Sequence, residues 1–350
     1  MPERSNRTDH AMKYIPILLI LIACQPKNSE QAVEIQEVRL GGIEEDGFPK
    51  MLSEWDLFEG DLSELNPSEN VFPYEINSPL FSDYALKKRF IQLPEGEKMV
   101  YNESEVFDFP VGTILVKNFY YLTESGQRIL ETRLLIKEER KWEAIVYEWN
   151  AEQTDAKRVI LGSKVEVEWA DENGKLQRVN YNIPSQPQCK SCHDLGGNLT
   201  PIGPSARQLN KDGQLQSWSL KNRIDLPQGE LVSLVDYSNK NEPLVDRARA
   251  WLEVNCAHCH RKEGPAKNTG LYLLASETDP YKIGVNKPPV AAGRGSAGLK
   301  YSIVAGEPDK SILVHRIETL EPGEMMPELG RTLRHEEGIQ LVREWIERMK

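Results

Sequence analysis

The chain has 350 residues, an apolar fraction of 39% and a formal charge of −11. That length accommodates two domains with ordinary cores. The acidic balance argues against nucleic acid and against a basic membrane-facing patch. Of five cysteines, four stand in two copies of one pattern, "CKSCH" at Cys189–His193 and "CAHCH" at Cys256–His260.

The fifth, Cys24, closes a ten-residue apolar run, Tyr14 to Ala23, that follows Lys13. Such a run is too short to span a bilayer and has the length of a signal-peptide core. Its end, Leu21-Ile22-Ala23-Cys24, resembles a bacterial lipobox, in which the cysteine is lipidated and becomes the first mature residue. The resemblance implies a signal peptide over 1–23 and a lipid anchor on Cys24, with an ordinary signal peptide as the alternative. Met12 makes a better start than Met1, because residues 1–11 are polar and of mixed charge. Gln25, in place of an aspartate, points to the outer membrane, facing the periplasm or the cell surface. Loss of 1–23 removes three basic and two acidic side chains, which brings the mature chain to −12. Nothing after residue 23 approaches a membrane-spanning helix.

Residues 24–47 read as an acidic tether. Residues 48–104 are rich in proline and aromatics without a clear period, which predicts loops and short strands. From 105 to 182, five runs of β-branched and aromatic residues, "TILVKNFYYLT", "RILETRLLIK", "WEAIVYEWN", "KVEVEWA" and "LQRVNYNI", predict an antiparallel meander of about five strands. Asn173-Gly174 predicts a tight turn between the last two. Residues 196–243 are irregular apart from a short helix near Ser205–Asn210. Val245, Ala248 and Leu252, with Trp251 beside them, predict a helix that delivers Cys256. Ile339, Val342 and Ile346 predict a final helix from about His335. The domains expected are a β-rich one over 48–212, a linker over 213–243 and a helical one over 244–350.

A Cys-x-x-Cys-His sequence reads as attachment of a c-type haem, with both thiols bonded to its vinyl groups and the histidine ligating iron. Two copies in an exported chain with no spare cysteine predict two covalently bound haem c groups, on Cys189, Cys192 and His193 and on Cys256, Cys259 and His260. The competing readings are a zinc ribbon and short disulfides. A ribbon spaces its pairs by about 15–20 residues, whereas 63 separate Cys192 from Cys256. Neither alternative needs a histidine after the second cysteine.

The segments "WLEVNCAHCHRKEGPA", "GEPDKSILVHRIE", "EPGEMMPELG" and "EEGIQLVREWIERM" resemble a class I cytochrome c domain. The resemblance implies Met326 as distal ligand, with Met325 as the alternative, and places His258 pointing away from iron. The segments "FPVGTILVKNFYYL" and "ETRLLIKEERKWEAIVYEWN" resemble the cytochrome P460/cytochrome c′-β sheet, in which a lysine is cross-linked to haem; Lys117 is the lysine this implies, beside the plainer reading of a solvated strand residue. The fold class expected is therefore α+β in two domains, an N-terminal antiparallel β-sheet haem unit followed by an all-α class I cytochrome c. With "NSPLFSDYALKKRF", the whole chain resembles an uncharacterised bacterial family of di-haem c-type cytochrome lipoproteins, which implies a parallel β-helix protein as a partner beside an unknown redox partner. The function expected is electron transfer outside the cytoplasm. The alternatives are a redox enzyme or a small-ligand binder for nitrogen compounds with an open first haem, and a surface-anchored binding module. For the distal side of the first haem the candidates are His315 and Lys117, with no strong protein ligand as the leading expectation.

Overall fold

The computed structural model describes residues 47–290 and 293–350. Cys24, the signal segment and all but the last residue of the tether lie outside the described residues. The organising element is a six-stranded sheet of β1 (Val71–Pro73), β2 (Leu86–Gln92), β3 (Ile114–Thr123), β4 (Gly126–Lys137), β5 (Trp142–Trp149) and β6 (Ala156–Arg158). The strands pair in chain order and every pair is antiparallel. Side chains alternate between faces along a strand. One face carries Phe90, Ile114, Val116, Leu134, Ile136, Ile145 and Tyr147, which pack with Leu52, Leu57 and Leu65 into a core. The other carries Leu115, Lys117 and Phe119 and looks toward the two cysteine motifs.

The last two predicted strands form a separate hairpin, β7 (Ser163–Ala170) with β8 (Leu176–Ile183), rather than continuing the meander. Its inner residues Val167, Trp169, Val179 and Tyr181 pack on Phe119, Tyr121, Leu130 and Val146 of the second face. The Asn-Gly pair lies in a wider loop, 171–175. There Asp171 takes over the turn by accepting the N–H groups of Asn173 and Lys175 at 2.9 and 3.0 Å. A short aspartate side chain that mimics a backbone turn outcompetes the two-residue solution.

The hairpin feeds α1 (Gln186–His193), which carries the whole first motif and which the sequence pattern did not reveal. Short helices α2 (Ala206–Leu209) and α3 (Gln214–Leu220) follow. The chain then reaches α4 (Leu244–Leu252), which continues as a π-helical turn over Glu253–Ala257. The C-terminal part adds α5 (Pro280–Ile283), α6 (Ile312–Glu318) and α7 (Glu336–Glu347).

The expected fold class is corrected here: no all-α cytochrome domain is present at the C-terminus. The four helices of 244–350 are joined by long irregular segments, 3₁₀ turns and parallel backbone bridges at Val285–Ile303 and Tyr301–Ser311. Gly and Pro interrupt the helical period between α4 and α7, and backbone groups there pair across loops. The segment "NSPLFSDY" (77–84), part of the stretch expected to form loops and short strands, pins the sheet to this region. Ser78 Oγ donates to the Val235 carbonyl at 2.7 Å, and Phe81 N–H donates to Asn255 Oδ1 at 3.1 Å. Asp83 accepts the backbone N–H groups of Thr332 and Leu333 at 2.7 and 2.8 Å.

Candidate redox site

Ser185 opens α1, its N–H held by Gln188 Oε1 at 2.9 Å, and the helix stops at His193. Cys189, Cys192 and His193 then all line one cavity of about 290 Å³. His193 Nδ1 lies 3.0 Å from the Thr200 carbonyl. A carbonyl only accepts, so Nδ1 carries the proton and Nε2 keeps its lone pair. Burial holds this imidazole down at about 4, so it is neutral at ordinary pH. Burial also raises the Cys189 and Cys192 thiols. Two protonated thiols and a neutral, oriented imidazole on one helix fit covalent attachment with nitrogen ligation better than a thiolate metal site.

The opposite wall is the second face of the sheet. Register places Arg89, Lys117 and Arg133 directly opposite one another on β2, β3 and β4, and all three line the cavity. Beside this row stands an apolar one of Leu115, Leu135 and Ala144. Among the described residues only Arg133 has a directly paired carboxylate: fully buried Glu131 accepts from its Nε at 2.8 Å and its terminal nitrogen at 2.5 Å, and also accepts from Tyr181 Oη at 2.6 Å. Lys117 lies over the Phe119 ring, 4.9 Å from its centre. Burial, then the nearby Arg89, Lys87 and Arg133, drives its amine well below the ordinary lysine value. Lys117 is therefore a cavity residue rather than a solvated strand lysine.

The C-terminal region closes the cavity with Trp251, Asn255, His258, Met326, Arg331 and His335. Met326, the expected distal ligand, does reach it. Met325 is buried at 9% exposure and lines neither this cavity nor a neighbouring one of about 480 Å³. His315 also stays outside both, its Nε2 3.6 Å from a Glu324 carboxylate oxygen. His258, expected to point away, instead lines both cavities with Cys192 and His193, and its Nδ1 is buried without a hydrogen-bond partner. Arg89 and Arg133 were missed, because a strand sequence does not show which charges stand opposite each other.

The second motif is packed differently. Cys256 is buried in the π-helical turn at 8% exposure, within the core formed by Leu252, Val314 and Val342. Cys259 Sγ lies 4.0 Å from the Ser191 carbonyl of the first motif, so the two motifs abut. Burial pushes both thiols up to about 12 and holds His260 at about 4. His260 Nδ1 is 3.4 Å from Thr269 Oγ1. None of Cys256, Cys259 and His260 lines either of these two cavities, so the first of them, which Met326 lines, is not shared with His260.

The cofactor expectation is corrected accordingly. Among the described residues no three His, Cys, Asp or Glu side chains come together so as to hold a metal ion. Cys256 of the second motif is enclosed by core packing while Cys259 and His260 are half-buried, and two covalently bound haem c groups, one per motif, are not supported. The first motif presents both thiols and its imidazole to one cavity.

No family model, curated protein or solved structure matches the chain.

Proposed function

We propose that the protein is an electron-transfer protein of cytochrome type that works outside the cytoplasm, lipid-anchored through Cys24, with one redox group held at the first Cys-x-x-Cys-His motif. The observation that carries this reading is the shared wall of Cys189, Cys192 and His193, with the imidazole fixed by Thr200. When bound, such a group would supply reversible one-electron chemistry. The chain's own contribution is to fix the tautomer of His193, to keep the thiols desolvated and to exclude water with Met326, Trp251 and the sheet.

The test is the intact mass and the oxidised and reduced visible spectra of the full chain from an exporting host. One covalent increment above the polypeptide mass is expected, lost in Cys189→Ser/Cys192→Ser and kept in Cys256→Ser/Cys259→Ser. No increment, or one that survives the first pair, overturns the reading. In the same preparation Cys24→Ala is expected to move the protein from membranes to the soluble fraction with the increment intact. A second reading, redox chemistry on a small ligand, is favoured by His258 Nδ1, which is buried at the cavity without a partner. It predicts that a small ligand such as carbon monoxide shifts the reduced spectrum.

A further inference from the structure

Like charges directly opposite one another on antiparallel strands destabilise a sheet. Arg89, Lys117 and Arg133 make such a row on three neighbouring strands, and it faces a cavity rather than bulk water. Glu131 pairs directly with Arg133. Arg89 is 8% exposed, and Tyr74 and Glu75 act on it only through space, without a direct hydrogen bond or ion pair among the described residues. Lys117 has a ring beneath it and feels Glu131 through space without a direct ion pair among the described residues. Burying charge without a partner is expensive, so the Arg89 guanidinium is a standing electrostatic cost that an anion in the cavity relieves, and the same anion favours the protonated form of the neighbouring Lys117 amine. The guanidinium fork matches a carboxylate, and a charge-assisted hydrogen bond is strongest in a desolvated site. Two residues along the strands, on the same face, the wall turns apolar at Leu115, Leu135 and Ala144.

We propose that this cavity is a binding site for a small organic carboxylate, its anionic end between Arg89 and Lys117 and its carbon skeleton against Leu115, Leu135 and Ala144. The site rests on the sheet register and does not depend on the electron-transfer reading. The acid substituents of an attached redox group present the same chemistry, and the two sources separate experimentally.

The experiment is calorimetric titration of the full chain with propionate, with propionamide as the uncharged control. The wild type, Arg89→Gln, Lys117→Gln and the surface control Lys141→Gln are compared, with intact mass recorded for each. Propionate is expected to bind the wild type and the control alike. Each cavity variant is expected to weaken it by about tenfold, the effect of losing one charge-assisted hydrogen bond, and propionamide is expected not to bind. Because each cavity variant relieves repulsion, both are expected to melt no lower than the wild type without ligand, which shows that they fold. If propionate does not bind the wild type but the cavity variants lose the covalent mass increment, the carboxylate belongs to the attached group and the site stands with that source. Equal binding to all four proteins means an adventitious additive only and overturns the proposal. So does an absence of binding combined with unchanged mass in the variants.

Discussion

His335 shows how much one side chain carries at the junction of sheet and helices. Its Nδ1 accepts the Trp251 indole N–H at 2.9 Å, so its proton sits on Nε2. Its ring stacks on Phe81 with centres 4.4 Å apart and planes within 7°. Burial holds its pKa down at about 4, against the ordinary 6.5 of histidine. A base whose folded pKa is depressed contributes stability that is complete above the unfolded value. That stability is lost as the pH falls from about 6.5 through about 4. The net shift corresponds to roughly 3 kcal/mol, with the opposing pull of Glu337, whose carboxylate oxygen is 3.6 Å from Nε2, already included. His193, His258 and His260 are depressed to about 4 by burial as well, so the whole chain is expected to weaken steeply over this window. Urea unfolding at pH 7 and pH 4.5 checks it: His335→Gln is expected to be less stable at pH 7 and to lose less between the two. An unchanged pH slope in the variant would remove His335 from this account.

At the scale of elements, α4 and α7 were legible because a 3.6-residue apolar period survives in both. Ala248, Trp251 and Leu252 on one and Ile339, Val342 and Ile346 on the other are buried as the period requires, while Val245, expected on the same face, is exposed in the first turn of α4. What the period could not show is the crossing. Gly338 lies inside α7, where glycine costs a helix about 1 kcal/mol against alanine. In the structure a Cβ at Gly338 would lie 2.3 Å from Trp251 Nε1 and 2.6 Å from His335 Nδ1. The glycine is there so that α7 can approach the indole. Gly338→Ala is therefore expected to destabilise by about 1–3 kcal/mol in spite of better helix propensity. Thermal or urea unfolding measures this, and a stabilised variant would show that the crossing has slack. The strands were legible for the same kind of reason, each being a strand-length run of β-branched and aromatic residues. Their partners were not, because pairing is non-local: β7 and β8 look like continuations of the meander and instead fold over its second face. For the site, the spacing of Cys189, Cys192 and His193 pointed to the motif, and Lys117 stood out as a strand lysine. Arg89 and Arg133 became visible only with the register.

At the scale of the whole molecule, the sequence suggested a sheet and a helical region in succession. It gave no sign of the contacts that bring 77–84 against the C-terminal loop, since they span some 250 residues. Asp83 is the strongest of these. It is 2% exposed, and its carboxylate accepts the Thr332 N–H, the Leu333 N–H and the Thr332 hydroxyl at 2.7–2.9 Å. Its own carbonyl accepts the Tyr121 hydroxyl at 2.5 Å, which ties the clamp to β3. The loop it holds runs on from Met326 and Arg331 to His335, all of which line the cavity, so the clamp sets the position of that wall. Asp83→Ala leaves two backbone donors without their acceptor and is expected to cost about 2–4 kcal/mol. Asp83 also sits in the left-handed region, at φ 51°, which asparagine tolerates better than alanine. Asp83→Asn keeps one acceptor oxygen and the backbone conformation, so its loss is expected to fall between wild type and Asp83→Ala. Released from the clamp, exposed Arg334 should become a faster tryptic site in the same order. If unfolding midpoints and cleavage rates at Arg334 are the same in all three proteins, Asp83 does not hold the cavity wall.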